Sequence, residues 1–154
     1  MTYKQMDFEA LTDNSQQFFE ILPPDWKDAI EPVWEDYGKE ANIFVLRDEG
    51  EIIAGGIVFN GAPPNRTEFE ILQGEKYLKR GYHYIGFLYV VAHRRNEALG
   101  SQWLQALKNR FPGQAYWLTI EDEDLKRFYT KNGFKCVAAS SDTNLPEWLF
   151  VYVV

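Results

Sequence analysis

Residues 84–92, YIGFLYVVA, constrain the chain most. Nearly every position is apolar or aromatic, as in a strand covered on both faces in the middle of a sheet. The run passes through HRRNEALG into a segment where Leu99, Trp103, Leu104 and Leu107 recur at helical spacing. Pro112-Gly113 ends that helix, and residues 115–120 read as a second buried strand. A strand, a helix and a strand with short connections form a crossover unit, right-handed if the strands are parallel. The chain must therefore build a sheet with helices packed on it. The apolar run itself is too short to span a membrane.

The flanking sequence extends this sheet. Residues 42–47, the turn Asp48-Glu49-Gly50 and residues 51–60 read as a β-hairpin. Gly55-Gly56 in the return strand marks a bulge or a close approach by another element. Before the hairpin, residues 14–22 suggest a short helix stopped by Pro23-Pro24, and Asp25 stands as an N-cap for the next one. Trp26, Ile30, Val33, Trp34 and Tyr37 then form one apolar stripe. Pro32 falls inside it, so the helix should kink or break into two abutting pieces. Thr67 and Glu70 have capping-box spacing and place a helix over Glu68–Lys79, ending near Gly81. A last helix is expected over residues 122–132, with an acidic first turn and Gly133 as its C′ residue. Strands at 134–139 and 148–154 close the chain. No repeat or linker interrupts this order, so residues 1–154 read as a single mixed α/β domain.

Composition narrows the function classes. With 5 Trp, 9 Tyr and 11 Phe, the chain can fill a core and is not a disordered segment. A net charge of −7 without clustered Lys and Arg argues against nucleic acid as a partner. The same charge suits cationic substrates, and solubility alone explains it equally well. The single cysteine, Cys136, can form neither an intrachain disulfide nor a cysteine-rich metal site, and is expected as a small buried hydrophobe in a strand. The N-terminus has no apolar core of signal-peptide length. A cytoplasmic protein without a membrane partner is the expectation.

A buried strand that enters a helix through a glycine-containing turn can hold an anion. The first N–H groups of a helix have no internal partners, and the dipole favours negative charge there. Gly100 omits a side chain where a phosphate would approach, and Ser101 adds a hydroxyl. One glycine at a helix start is nevertheless more often a packing device.

Three segments agree on something more specific. The run LYVVAHRRNEALG, residues 88–100, resembles the acyl-CoA signature L-x-V-x-P-x-x-R-G-x-G-I-G of the GNAT superfamily of N-acetyltransferases, with Leu88, Val90, Arg95 and Gly100 matching. DEDLKRFYTKNGF, residues 122–134, resembles that family's N-x-x-A-x-x-F-Y-x-K-x-G-F segment through Phe128, Tyr129, Lys131, Gly133 and Phe134. The hairpin with its Gly-Gly return strand is similar to the family's second and third strands. The departures from the pattern include Ala92 for proline, Ala98 for a loop glycine, Asp122 for asparagine and Leu125 for alanine.

The resemblance implies a GNAT-like acyl-CoA N-acyltransferase fold, an α/β (α+β) domain with a mixed central sheet of about six to seven strands flanked by helices. It implies acetyl-CoA as cosubstrate and no metal. Two parallel strands would splay, and the backbone of Leu88 and Val90 would pair with the pantetheine arm as an added strand does. The pyrophosphate would rest on the N–H groups of residues 95–101, among them Arg95, Asn96, Ala98, Gly100 and Ser101, with Asp122 close to the cofactor. The implied reaction is direct attack of an amine on the thioester in a ternary complex. Tyr129 stands at the family's general-acid position. The base is open among Glu121, Glu68, Glu70, His83 and water. Aromatic residues before the central strand, among them Trp26, Trp34, Tyr37 and Tyr84, would wall a pocket for a primary amine of a small molecule or peptide. A homodimer is compatible with this reading but nothing in the sequence points to one. A non-catalytic acyl-CoA-binding sensor or partner module on the same fold is the alternative. A nucleotide-binding protein ranks lower, since a Walker lysine and a full G-x-G-x-x-G are missing.

Overall fold

A computed structural model describes residues 6–154. The elements run β1 (Asp7–Ala10), α1 (Gln16–Phe19), α2 (Pro24–Ile30), α3 (Trp34–Tyr37), β2 (Ala41–Asp48), β3 (Glu51–Phe59), α4 (Glu68–Lys79), β4 (His83–Val90), α5 (Leu99–Arg110), β5 (Tyr116–Ile120), α6 (Leu125–Lys131), β6 (Lys135–Ala139) and β7 (Trp148–Tyr152). The strands form one seven-stranded sheet in the order β1-β2-β3-β4-β5-β7-β6. Every neighbouring pair is antiparallel except β4 and β5, which are parallel. The expected α/β class and mixed sheet are therefore present. No helix among the described residues is long and apolar enough to cross a membrane.

Period-two patterning decides which side chains meet which helices. On β2, Phe44 and Leu46 join the core under α5, where Leu99, Trp103, Leu104 and Leu107 are all buried. Ile43 and Val45 face the opposite way, toward Phe18, Phe19 and Ile30 of α1 and α2. Gly55 and Gly56 allow both layers to close on β3. A Cβ on Gly55 would lie 2.5 Å from the Phe18 ring, and one on Gly56 2.7 Å from the Trp103 ring. The strand covered on both faces is thus β3, buried from Ile52 to Phe59. The expectation for β4 is corrected: only Ile85 is buried there, because the strand borders a cleft.

Four other expectations change. Helix α2 starts at Pro24, one residue before the expected cap Asp25, since a proline's fixed φ suits the first turn. Pro32 does split the next segment, through a 3-10 turn at Glu31–Val33, but the stripe is only partly buried: Ile30 is inaccessible, whereas Trp26 and Tyr37 are exposed. Helix α6 begins at Leu125 rather than at residue 122. The Asp122 carboxylate accepts the Asp124 N–H at 2.9 Å, a local bond that competes with helix extension. Cys136 is exposed on the edge strand β6, not buried. Strand β1, absent from the sequence reading, is held by pairing with β2 and by the Arg47–Glu9 ion pair.

Candidate active site

The parallel strands β4 and β5 pair only at His83↔Tyr116 and Tyr84↔Trp117. Beyond that point they part. Strand β5 continues against β7 over its whole length, while β4 stays with β3 through a bulge. Gly55 faces Tyr89 and Ile57 faces Gly86, so three steps along β4 match two along β3. Phe87 sits in the bulge with a left-handed φ of 57°. A bulge bends and twists its strand, which turns β4 away from β5. The conformation is strained for a bulky residue, by about 1–2 kcal/mol. Edge-to-face packing of Phe87 on Trp26, centroids 6.1 Å apart, helps to hold it.

The gap is a cleft of about 620 Å³, with residues 85–88 on one wall, residues 118–120 on the other, and Trp26, Glu70, Tyr84, Glu121, Asp122 and Tyr129 around it. The Val91 N–H donates to Ile53 on β3 at 3.0 Å. Backbone groups alternate sides along a strand, so the N–H and C=O of Val90 point into the gap. The Val90 carbonyl accepts from Arg95 Nε at 3.3 Å and Nη2 at 3.2 Å, and that guanidinium also lies over the Tyr89 ring at 5.3 Å. Leu88 also lines the cleft.

Past β4 the chain turns toward α5. Arg94 is committed to Glu97 at 2.8 and 3.0 Å and to Asp48 at 2.9 Å, which leaves exposed Arg95 as the cation of this loop. Asn96 and Ala98 both adopt positive φ, 68° and 58°. The ladder of α5 opens with Gln102 N–H to the Ala98 carbonyl at 3.0 Å. The N–H groups of Leu99, Gly100 and Ser101 therefore precede it, without a helical partner. Left-handed residues ahead of a helix N-terminus gather N–H groups into an anion-binding concavity. Gly100 has a packing role: a Cβ there would lie 2.9 Å from the Phe128 ring on α6. The Ser101 hydroxyl oxygen accepts from Asn132 Nδ2 at 3.1 Å, which also ties α5 to α6.

Tyr129 reaches the cleft from α6 among the rings of Phe128, Phe134 and Phe150. Burial pushes its hydroxyl well above the ordinary phenol range, so it stays protonated and has a proton to give at working pH. Glu121 is exposed at the lip and also lines a second cavity of about 660 Å³ between α4 and residues 139–147. That cavity carries Glu68, Glu121, Asp142 and Glu147, with no Lys, Arg or His in its lining. Glu147 is buried and accepts from the Thr67 hydroxyl at 3.0 Å. Burial first, then the charges of Glu70 and Glu121, push its carboxyl above the usual range.

Not every sequence candidate arrives here. His83 sits where the two strands are still paired, packs on Tyr116, and burial lowers its pKa. Trp34 packs on Phe19 rather than on the cleft. Glu68 faces the second cavity only. Thr119 and Glu147 were not anticipated, since neither belongs to a motif and both arrive through the β5–β7 side of the sheet. Glu70 was named as one base among several; its burial and three donors are visible only in the fold.

The geometry has close structural parallels. An Elizabethkingia anophelis GNAT family acetyltransferase with acetyl-CoA bound superposes with a TM-score of 0.62 at 13% identity, covering 99% of this chain and 100% of that one. A Bacillus subtilis acetyltransferase in complex with CoA gives 0.67 at 11% identity, covering 97% and 99%. Aminoglycoside 6′-acetyltransferase type Ii gives 0.68 at 17% identity, covering 96% and 97%. No curated protein sequence matches the chain significantly. The sequence model described as Acetyltransferase (GNAT) family matches residues 8–134, from the first strand through α6, and the chain therefore belongs to the GNAT acetyltransferase family.

Proposed function

We propose that this chain is an N-acetyltransferase that moves an acetyl group from acetyl-CoA to the primary amine of a small molecule or peptide, by direct attack in a ternary complex. The observation that carries the reading is the two-pair contact between β4 and β5, with the Val90 backbone turned into the gap. Unpaired backbone groups need partners, and an extended amide-bearing arm supplies them as a third strand would. The residues present fit that group. Leu88 and Val90 would pair with its amides. The N–H groups at the start of α5, in the turn shaped by Asn96 and Ala98, would take the phosphates. Arg95 would leave the Val90 carbonyl and turn its charge to the pyrophosphate. Asp122, beside the cleft, would border the arm and exclude water.

When bound, acetyl-CoA supplies the activated acyl carbon. Tyr129, kept protonated by burial, gives a proton to the departing sulfur. A cleft-facing N–H of β4 near Val90 stabilises the charge on the carbonyl oxygen. Glu121, exposed between the two cavities, draws the ammonium of the acceptor toward the thioester. The acetyl-CoA complex and the aminoglycoside enzyme among the structural parallels support the acyl donor and an amine acceptor respectively.

The test is a thermal-shift titration with acetyl-CoA, CoA and ATP in parallel, followed by an amine panel. A ligand that binds only the folded state adds about 2.7 kcal/mol at a hundredfold excess over its dissociation constant. Acetyl-CoA and CoA should raise the melting temperature and ATP should not. Tyr129→Phe should keep that shift and lose turnover by about 100-fold or more. No shift with millimolar acetyl-CoA overturns the reading. A normal shift with no amine acetylated points to the sensor alternative.

A further inference from the structure

We infer that Glu70, delivered by helix α4, is the proton acceptor for the incoming amine. The inference rests on the acetyltransferase reading above. Glu70 is only 7% exposed, and what remains open lies on the cleft. Its Oε1 accepts the Thr67 N–H at 3.0 Å, closing the capping box of α4. Its Oε2 accepts the Tyr84 hydroxyl at 3.1 Å and the Thr119 hydroxyl at 2.7 Å. Tyr84 and Thr119 lie on the two strands that part company, so the carboxylate sits at the root of the splay. A carboxylate offers about four acceptor sites. Three are filled by fixed donors, and the site left over is the one an ammonium in the cleft can take.

The groups around Glu70 support this role. Thr67 links it to the buried Glu147 carboxylate through the Thr67 hydroxyl at 3.0 Å. Tyr84 is held far above the ordinary phenol range by burial and then by the Glu70 charge, so it remains a donor to Glu70. Tyr129 also stays protonated. Asp25, Glu121 and Asp122 complete the charged groups in the lining of the cleft, and no Lys, Arg or His lines it to compete for the carboxylate.

The proton count closes. A bound ammonium loses one proton as its N–H bond breaks and an O–H bond forms on Glu70, and the freed lone pair forms the C–N bond. The nitrogen loses a second proton once bonded to carbon, and that proton restores the Tyr129 hydroxyl, which gives its own to sulfur as the C–S bond breaks. Glu70 returns its proton to solvent after turnover. Two hydroxyls hold the carboxylate still, and positioning of this kind matters as much as basicity.

Glu70→Gln separates the catalytic role from the structural one, because glutamine at this position also closes a capping box. The acceptors used are cadaverine, spermidine, kanamycin and a lysine-containing peptide, with the best of them carried into full kinetics. Glu70→Gln should melt close to the parent protein and keep the acetyl-CoA shift. It should lose kcat by about 100-fold or more, and the acidic limb of the pH–rate profile should flatten. Glu121→Gln should instead raise KM for the amine and leave that limb in place. A Glu70→Gln variant with parental kcat and pH profile overturns the inference, as does loss of the limb in Glu121→Gln alone. A parent protein that binds acetyl-CoA but acetylates none of the four amines overturns the acetyltransferase reading, and this inference with it.

Discussion

Ala98 holds a backbone conformation that its side chain resists. With φ at 58°, it is the N-cap of α5 and has no side-chain cap bond of its own. The left-handed region costs an L-residue roughly 1–2 kcal/mol, and glycine escapes most of it at the expense of unfolded-state entropy. Ala98→Gly should therefore raise stability by about 0.5–1 kcal/mol in urea unfolding, with acetyl-CoA binding retained. A loss of stability would mean that the turn gains more from the methyl group than it loses to strain. Glu147 carries a second residue-scale consequence. Its folded-state pKa is raised above 4.5 by burial and by the charges of Glu70 and Glu121. A carboxyl raised on folding binds more protons in the folded state, so stability falls as pH rises from the unfolded value through the folded one. Glu147→Gln should melt higher than the parent protein at neutral pH, and the difference should shrink toward zero below pH 4.5. A gap that persists at low pH would assign the effect to packing instead of charge.

At the scale of elements, α4 is where local and tertiary preferences oppose each other. Glycine in a helix interior is disfavoured by about 1 kcal/mol relative to alanine. Yet a Cβ on Gly74 would lie 2.4 Å from Trp117 Cη2, and Trp117 is fully buried beneath α4. Overpacking at such a site costs about 1–3 kcal/mol, so the contact outweighs the propensity. Gly74→Ala should lower the midpoint of unfolding, and a higher midpoint would show that the Trp117 ring can move aside. The range of α4 was legible because its signal is local: Thr67 and Glu70 cap it, and Lys79 and Gly81 end it. The buried stripe of α5 was legible for the same reason. What one dimension could not carry was pairing. Strand β1 has four residues and becomes a strand only against β2. The apolar run of β4 suggested burial on both faces, whereas only Ile85 is buried and residues 84–88 border a cleft. Motif spacing marked Tyr129 and the loop before α5. The contact of Glu70 with Thr119, 49 positions apart in the chain, depended on the whole sheet.

For the molecule as a whole, charge is distributed so that the two ligands should respond differently to salt. The net charge is −7. Four carboxylates, Glu68, Glu121, Asp142 and Glu147, line the cavity beside α4 without a basic neighbour in the lining. In the turn proposed to take the phosphates, Arg94 is neutralised by Glu97 and Asp48, and Arg95 bonds only the Val90 carbonyl among the contacts of its guanidinium with oxygen in the described residues. Under the proposed function, a cationic acceptor would be attracted over a distance set by ionic strength, while an anionic acyl donor would approach against the overall charge and depend on short contacts. The screening length falls from about 10 Å at 0.1 M salt to about 3 Å at 1 M. Across that range KM for the amine should rise several-fold, while KM for acetyl-CoA should stay flat or fall as long-range repulsion is screened. Steering of this kind acts on association, so kcat should change little. Glu121→Gln should weaken the amine's salt dependence without altering that of acetyl-CoA. If KM for the amine is insensitive to salt, the carboxylates beside α4 do not recognise the acceptor, and its cationic group must bind where Trp26 and Tyr84 line the cleft.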